Sequence, residues 1–472
     1  MPNIEESKRN RSVSISNKRK FEAKVPQTSN NATDLNFKEN IVKVYMQDIP
    51  ALLEEPYTSN IGNYRSKIAF EYAFYRGPDL AVKSYATTWE KVTENIYRNE
   101  DFGGQLNKNN YYEADLDRLL VNATSDKETI QLIFDFVKSK VKWNDYIGYT
   151  SENGVKKAYK EGVGNIADIN LMLISMLRHA KINANPVLIS TGNNGIPLFP
   201  TQSGFNYVIC AVQLDQSILL LDASHENAKE NILPKRVLNW QGRLIREDGT
   251  SDWINLNPES PSQEMIMLNY VLDSEWNIEG KIHKRLTEYL ALDYRDENKG
   301  ATSETQIRKL EENKGNIEIL NIELKDENNI NKPIVYNYDF KLKNGVDEIG
   351  GKLYLSPLLF LNKEENPFKQ DSRLYPIDFI YPIANKYIVN IELPDGYAVE
   401  SMPENIKVEL NVYDGKFSYL IRENENNLQL TVEFVLNKTF VLPSEYNQFK
   451  EFFALSFEKQ SEQIVLARKQ QN

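Results

Sequence analysis

A chain of 472 residues is too long for one hydrophobic core, so roughly two to four domains are expected. Its net charge of −11 excludes the clustered Lys/Arg surface that nucleic-acid binding needs, and its single cysteine, Cys210, excludes an intrachain disulfide and a cysteine metal site. With 41% hydrophobic, 26% charged and 11% aromatic residues it reads as a globular protein with a large β component, and no apolar run reaches the roughly 18 residues of a membrane helix.

Residues 1–36 are polar, with basic residues in excess through Lys24. A solvated, disordered segment is expected there, and no apolar stretch in it makes a signal peptide. From Ile41 the composition turns β-like. Tyr64, Ile68, Phe70, Tyr72 and Phe74 alternate with Lys67, Ala69, Glu71 and Ala73, which predicts a half-buried strand. So few strands cannot bury a face alone. Residues 37–110 therefore read as the C-terminal part of a β-domain that begins upstream, with a helix expected over 88–98.

Ser125 and Glu128 have capping-box spacing and open a helix with Ile130, Ile133, Phe134 and Val137 on one stripe. The stretch Gly164-Asn165-Ile166-Ala167-Asp168 breaks from a loop into a second helix, expected over 168–179. Leu171, Leu173, Ile174, Met176 and Leu177 make that helix apolar enough to be buried. A strand at 186–190, a loop at 192–204 and two antiparallel strands at 205–214 and 217–222, joined at Asp215-Gln216, follow. Helices followed by antiparallel strands predict α+β. Alternation at Tyr387, Val389, Ile391 and Leu393, and again at Leu428, Leu430, Val432 and Phe434, predicts a two-sheet β-sandwich over 271–472. Asp414-Gly415 between two such runs predicts a type I′ hairpin turn. One helix from Ser444 carries Tyr446, Phe449, Phe453 and Phe457 on one face.

Cysteine amide chemistry needs a thiolate at a helix N-terminus, an imidazole within reach, and a carboxylate holding that ring. Several motifs bear on this: Lys142-Trp143-Asn144, the Gly164–Leu171 stretch, Phe205-Asn206-Tyr207-Val208-Ile209, Leu221-Asp222-Ala223 and Leu233-Pro234. In them the chain resembles the transglutaminase-like superfamily, and more closely a bacterial branch. There the core sits between an N-terminal β-domain and a C-terminal β-sandwich, both of uncharacterised function. The resemblance spans 41–466 and is most specific over 117–258. It implies a papain-like, transglutaminase-like core at 111–270. Active members read Gly-x-Cys-x-Asp, Asn-His-Val and Leu-Asp-Ala/Pro where this chain reads Gly164 to Asp168, Asn206-Tyr207-Val208 and Leu221-Asp222-Ala223. The degenerate triad positions are then Ile166, Tyr207 and Asp222, and only the acid is retained. This implies a pseudoenzyme, a binding or scaffolding module of the cell envelope, where members of the family reside.

The residues expected to line its cleft are Trp143, Tyr146, Asn165, Asp168, Asn206 and His225. Asp222 is free to accept the Tyr207 hydroxyl or a backbone N–H in place of an imidazole. Cys210, at an odd offset from Tyr207, should point to the opposite sheet face. No phosphate loop, metal-ligand spacing or serine elbow is present, so no cofactor or metal is expected. Expected partners are a peptide, glycan or protein. Two other readings stand beside this one: an active amide hydrolase or transferase using Asp222, His225 and Tyr207, and a structural assembly protein.

Overall fold

Asn165 decides where the central helix begins. Its side chain accepts the Asp168 amide at 2.8 Å while the Asp168 carboxylate accepts the Asn165 amide at 3.1 Å, a closed capping box. The helix therefore runs Ile166–His179, two residues earlier than its apolar pattern suggests. This computed structural model describes residues 3–15, 33–68, 74–76, 82–84, 88–215, 217–362 and 365–469.

Every residue from Ile166 to Leu177 is buried. The helix packs against helices Asp126–Lys140, Gly103–Leu106 and Val155–Glu161 on one side and a five-stranded sheet on the other. Burial of each large aliphatic side chain is worth roughly 1.5–3 kcal/mol. Its polar members are satisfied: the Ser175 hydroxyl donates to Leu106 O at 3.0 Å, and Arg178 donates to Ala184 O at 2.7 Å. His179 occupies the last turn, where cations favour the helix dipole.

The sheet order is Ser251–Asn255, Gln241–Ile245, Ala184–Ile189, Tyr207–Gln213, Ile218–Leu221, with every neighbour antiparallel. Both faces of its middle strands are covered. Leu188, Val208, Cys210 and Val212 join the helical core, while Val187, Ile189, Tyr207 and Ile209 join a second cluster with Leu233, Leu256, Tyr289 and Tyr381. That is why these strands read as continuous apolar runs rather than alternating ones.

The C-terminal region is β-rich, and the fold is mixed α+β. An eight-stranded sheet is antiparallel throughout, except where Ser262–Leu272 runs parallel to Ile383–Glu392. A four-stranded sheet that includes Ile464–Arg468 and the helix Tyr446–Gln460 contribute to the same core. Among the described residues no helix is long and apolar enough to cross a membrane.

Four expectations change. The turn before Gly415 is a four-residue helical turn, Asn411–Asp414, because Asn411 takes the left-handed conformation (φ 53°) and its side chain donates to Asp414 at 2.7 Å. Gly415 itself is extended, and a Cβ there would lie 2.9 Å from Val435 O. Of the strand expected around residues 64–74, Phe70 and Tyr72 lie outside the described residues, as does Gln216 of the 215–216 turn. Tyr64 ends a short 3-10 helix, and Phe74–Arg76 pairs with Val82–Ser84. Helices Trp89–Tyr97 and Gly103–Leu106, which composition groups with a β-domain, pack in the helical core through Val92, Ile96 and Leu106; Val92 and Ile96 stand at the i, i+4 spacing of one helix face. Finally, Asn3–Ile15 is a strand paired antiparallel with Thr33–Tyr45, in register from Asn3↔Tyr45 to Ile15↔Thr33, where disorder was expected. Ladder hydrogen bonds run through the backbone and tolerate a polar sequence. Residues Met1–Leu53 and Glu54–Asn472 are separate compact units.

Within the second unit, the segment after Glu54 is a strap on the 368–379 loop. Glu55 accepts the backbone amides of Leu374 and Tyr375 at 2.9 and 3.1 Å and faces the Arg373 guanidinium at 3.4 Å. Both charged side chains are buried, 4% and 1% exposed. The Tyr57 ring lies against Phe368 and Phe379, with centroids 5.6 and 4.7 Å away.

Candidate functional site

Gly164 is the residue that lets the loop close on the helix cap. A Cβ there would sit 2.8 Å from that of Asp168 and 2.9 Å from that of Ala158. Asp168 is further tied to the Ser151 hydroxyl, and Asn165 donates to Thr150 O at 2.9 Å. Burial pushes the Asp168 carboxyl pKa up, against the hydrogen bonds from Ser151 and Asn165. Asn165 and Asp168 are fully buried and spend their polar atoms on the cap. Asn206 spends both ends of its amide on Thr191, at 2.8 Å each. These three, expected in a cleft wall, are structural. Tyr146 is exposed but does not line the cleft described below; its carbonyl accepts the Trp143 indole N–H at 3.0 Å.

Ile166, Tyr207 and Asp222 are all fully buried. Ile166 and Tyr207 belong to one apolar cluster, and the Tyr207 hydroxyl donates to Asp222 Oδ2 at 2.7 Å. Asp222 accepts three further bonds, from Asn170 Nδ2 (2.9 Å), the Ser224 amide (3.0 Å) and the Ser224 hydroxyl (2.6 Å). Four uncharged donors offset the desolvation of this buried carboxylate, which has no direct ion-pair partner among the described residues. Asn170 also donates to Val208 O at 3.0 Å and accepts the Ala223 amide at 2.9 Å, so it sutures helix, strand and loop.

A cation closes this knot from outside. Arg236 donates to the Tyr207 hydroxyl from Nε (3.2 Å) and Nη2 (3.0 Å), and its guanidinium stacks over the Trp143 ring at 4.4 Å. The phenol thus stands between Arg236 and Asp222 as the middle member of a stretched ion pair. Burial holds the Tyr207 hydroxyl pKa well above its usual value, so it stays protonated and can donate. Tyr207→Phe should cost about 1.5–3 kcal/mol, because it strips a bond from each of two charged groups. Urea unfolding of the two proteins measures it, and equal midpoints would mean the hydroxyl contributes nothing.

Beyond Arg236 lies a cleft of roughly 670 Å³ lined by Lys138, Lys142, Trp143, Asp145, Ser224, His225, Arg236, Asp296 and Lys299, among others. His225 faces it but pairs with Asp296, Nε2 to Oδ2 at 3.2 Å, and not with Asp222. Burial raises the Asp296 carboxyl, and the His225 and Asn227 hydrogen bonds outweigh it, so its pKa is lowered. Asp222 is sealed from this cleft, so the Asp222, His225 and Tyr207 arrangement does not converge on open space. Cys210 packs on the opposite sheet face, and burial pushes its thiol pKa up. Among the described residues no cluster of His, Cys, Asp or Glu could hold a metal ion.

Sequence reading missed Asn170, Ser224, Arg236 and Asp296. Asn170 carried a signal, an amide inside an otherwise apolar helix. The other three lie in loops or on a distant helix and carried none.

A family described as a Domain of Unknown Function, DUF3858, matches residues 351–466. Among solved structures, a "putative protease" from Parabacteroides distasonis has 11% sequence identity and a TM-score of 0.49, covering 98% of this chain and 70% of that one. No curated protein matches.

Proposed function

We propose that the chain is a non-catalytic relative of the transglutaminase-like proteins, with a papain-like core acting as a binding or scaffolding module. The observation that carries this reading is the saturation of Asp222. Where an imidazole would need the acid, Tyr207, Ser224 and Asn170 take all of its capacity. Ile166, at the first turn of the capped helix, offers no atom that attacks or accepts a proton. Loss of a nucleophile from such a unit costs on the order of a millionfold in rate.

The test has two arms. Wild type is assayed for hydrolysis and transamidation of glutaminyl peptides; turnover lost in His225→Gln would sink the reading. The double variant Ile166→Cys/Tyr207→His is titrated with iodoacetamide across pH. A helix N-terminus and an adjacent imidazole should lower the thiol pKa below about 8.5. A thiol that alkylates no faster at neutral pH than free cysteine would mean the positions are not a former catalytic pair.

A further inference from the structure

We propose that the cleft in front of Tyr207 binds a carboxylate-bearing peptide, gripped by the outward edge of Arg236 with Lys142 as second cation. This names a ligand class for the site and rests on the non-catalytic reading above.

Most of the cleft's charges are already spent. Of the cleft's cations, Lys299 pairs with Glu226 at 2.5 Å and Lys138 with Asp135 at 3.2 Å, while the His225 ring is held by Asp296. Asp296 lies close enough to Arg236 for its field to be felt, but its oxygens already take His225 and Asn227. Arg236 commits Nε and Nη2 to Tyr207 and Nη2 to Ser224 at 3.4 Å, while Nη1 has no partner among the described residues. Among the described residues Lys142 donates only to Lys138 O, at 3.0 Å. Among the described residues, the half-buried Arg236 and the exposed Lys142 therefore have no carboxylate in contact, and Asp145 is the one carboxylate of the lining with no ion pair. A partly desolvated guanidinium is costly without a counter-charge, and its planar fork matches a carboxylate.

Trp143 decides between a peptide and a sugar. A sugar ring stacks on a free aromatic face, but Arg236 already covers Trp143 at 4.4 Å. What remains is a hollow of a size that holds a few residues of peptide, in which Lys138, Lys142, Arg236 and Lys299 outnumber the carboxylates Asp145, Glu226 and Asp296 by one.

The experiment uses the full chain and a pooled library of acetylated pentapeptides with free C-termini. The same library with amidated C-termini serves as comparison, and retention is read by equilibrium dialysis and mass spectrometry. Wild type should retain acid peptides at least about tenfold better than amides, and Arg236→Gln should abolish the difference. Lys142→Gln should reduce it several-fold. If Arg236→Gln fails to fold, Arg236→Lys, which keeps the charge and loses the fork, should also weaken retention. Equal retention of both libraries, indifference to the Arg236 and Lys142 variants, or binding of inorganic phosphate alone would overturn the proposal. The same spectra report cleaved or deamidated peptides. Their appearance would sink the non-catalytic reading instead, leaving Arg236 dependence as a separate readout.

Discussion

Replacing Asp222 with alanine is expected to lower the unfolding free energy by about 2–5 kcal/mol, since each buried donor left without an acceptor costs about 1–3 kcal/mol. The carboxylate is fully buried and receives four hydrogen bonds. Alanine leaves the Ser224 amide without its acceptor and takes from the Tyr207 hydroxyl the acceptor it points at. Arg236 then faces a phenol with no negative charge behind it. Asp222→Asn keeps the shape and one acceptor oxygen, and should cost less, about 1–3 kcal/mol. Urea unfolding at neutral pH, followed by tryptophan fluorescence, separates the two. A loss below about 1 kcal/mol in the alanine variant would mean that the knot is not what holds the loop 222–236 against the sheet.

The second large effect lies at the strap. Glu55→Ala should cost about 3–5 kcal/mol, since it strands the buried Arg373 guanidinium and frees the Leu374 and Tyr375 amides. The pair also predicts a rescue. Glu55→Ala combined with Arg373→Met removes the uncompensated charge and should recover part of the loss. If the double variant is as unstable as the sum of the singles, the ion pair is not coupled and the strap is held by Tyr57 and its rings instead.

The pattern of what sequence reading reached follows the range of the interactions. The apolar run after Asp168 announces a buried helix, and the odd offset of Cys210 from Tyr207 announces opposite faces. Both follow from local periodicity. The pairing of Asp222 with Tyr207 was one of two options that the family resemblance implied, beside a backbone N–H, and the hydroxyl lies at 2.7 Å. The helix start was read two residues late, because Ile166 and Ala167 look equally at home in a loop and only the reciprocal bonds of Asn165 and Asp168 place the cap. Arg236 and Asp296 reach the cleft from loop and helix positions that no period governs. Arg373 finds Glu55 across most of the chain. Such partners are chosen by tertiary packing, and nothing in their neighbours along the sequence marks them.

The separation of that last pair has a consequence for synthesis. Glu55 and the amide of Leu374 that it accepts are 319 positions apart. At the roughly 5–20 residues per second of translation, the segment around Glu55 waits on the order of half a minute before its receptor exists. Through that interval a carboxylate destined for burial stands in water. The polar residues around it, Glu54, Thr58, Ser59 and Asn60, suit a segment that stays soluble first and docks last.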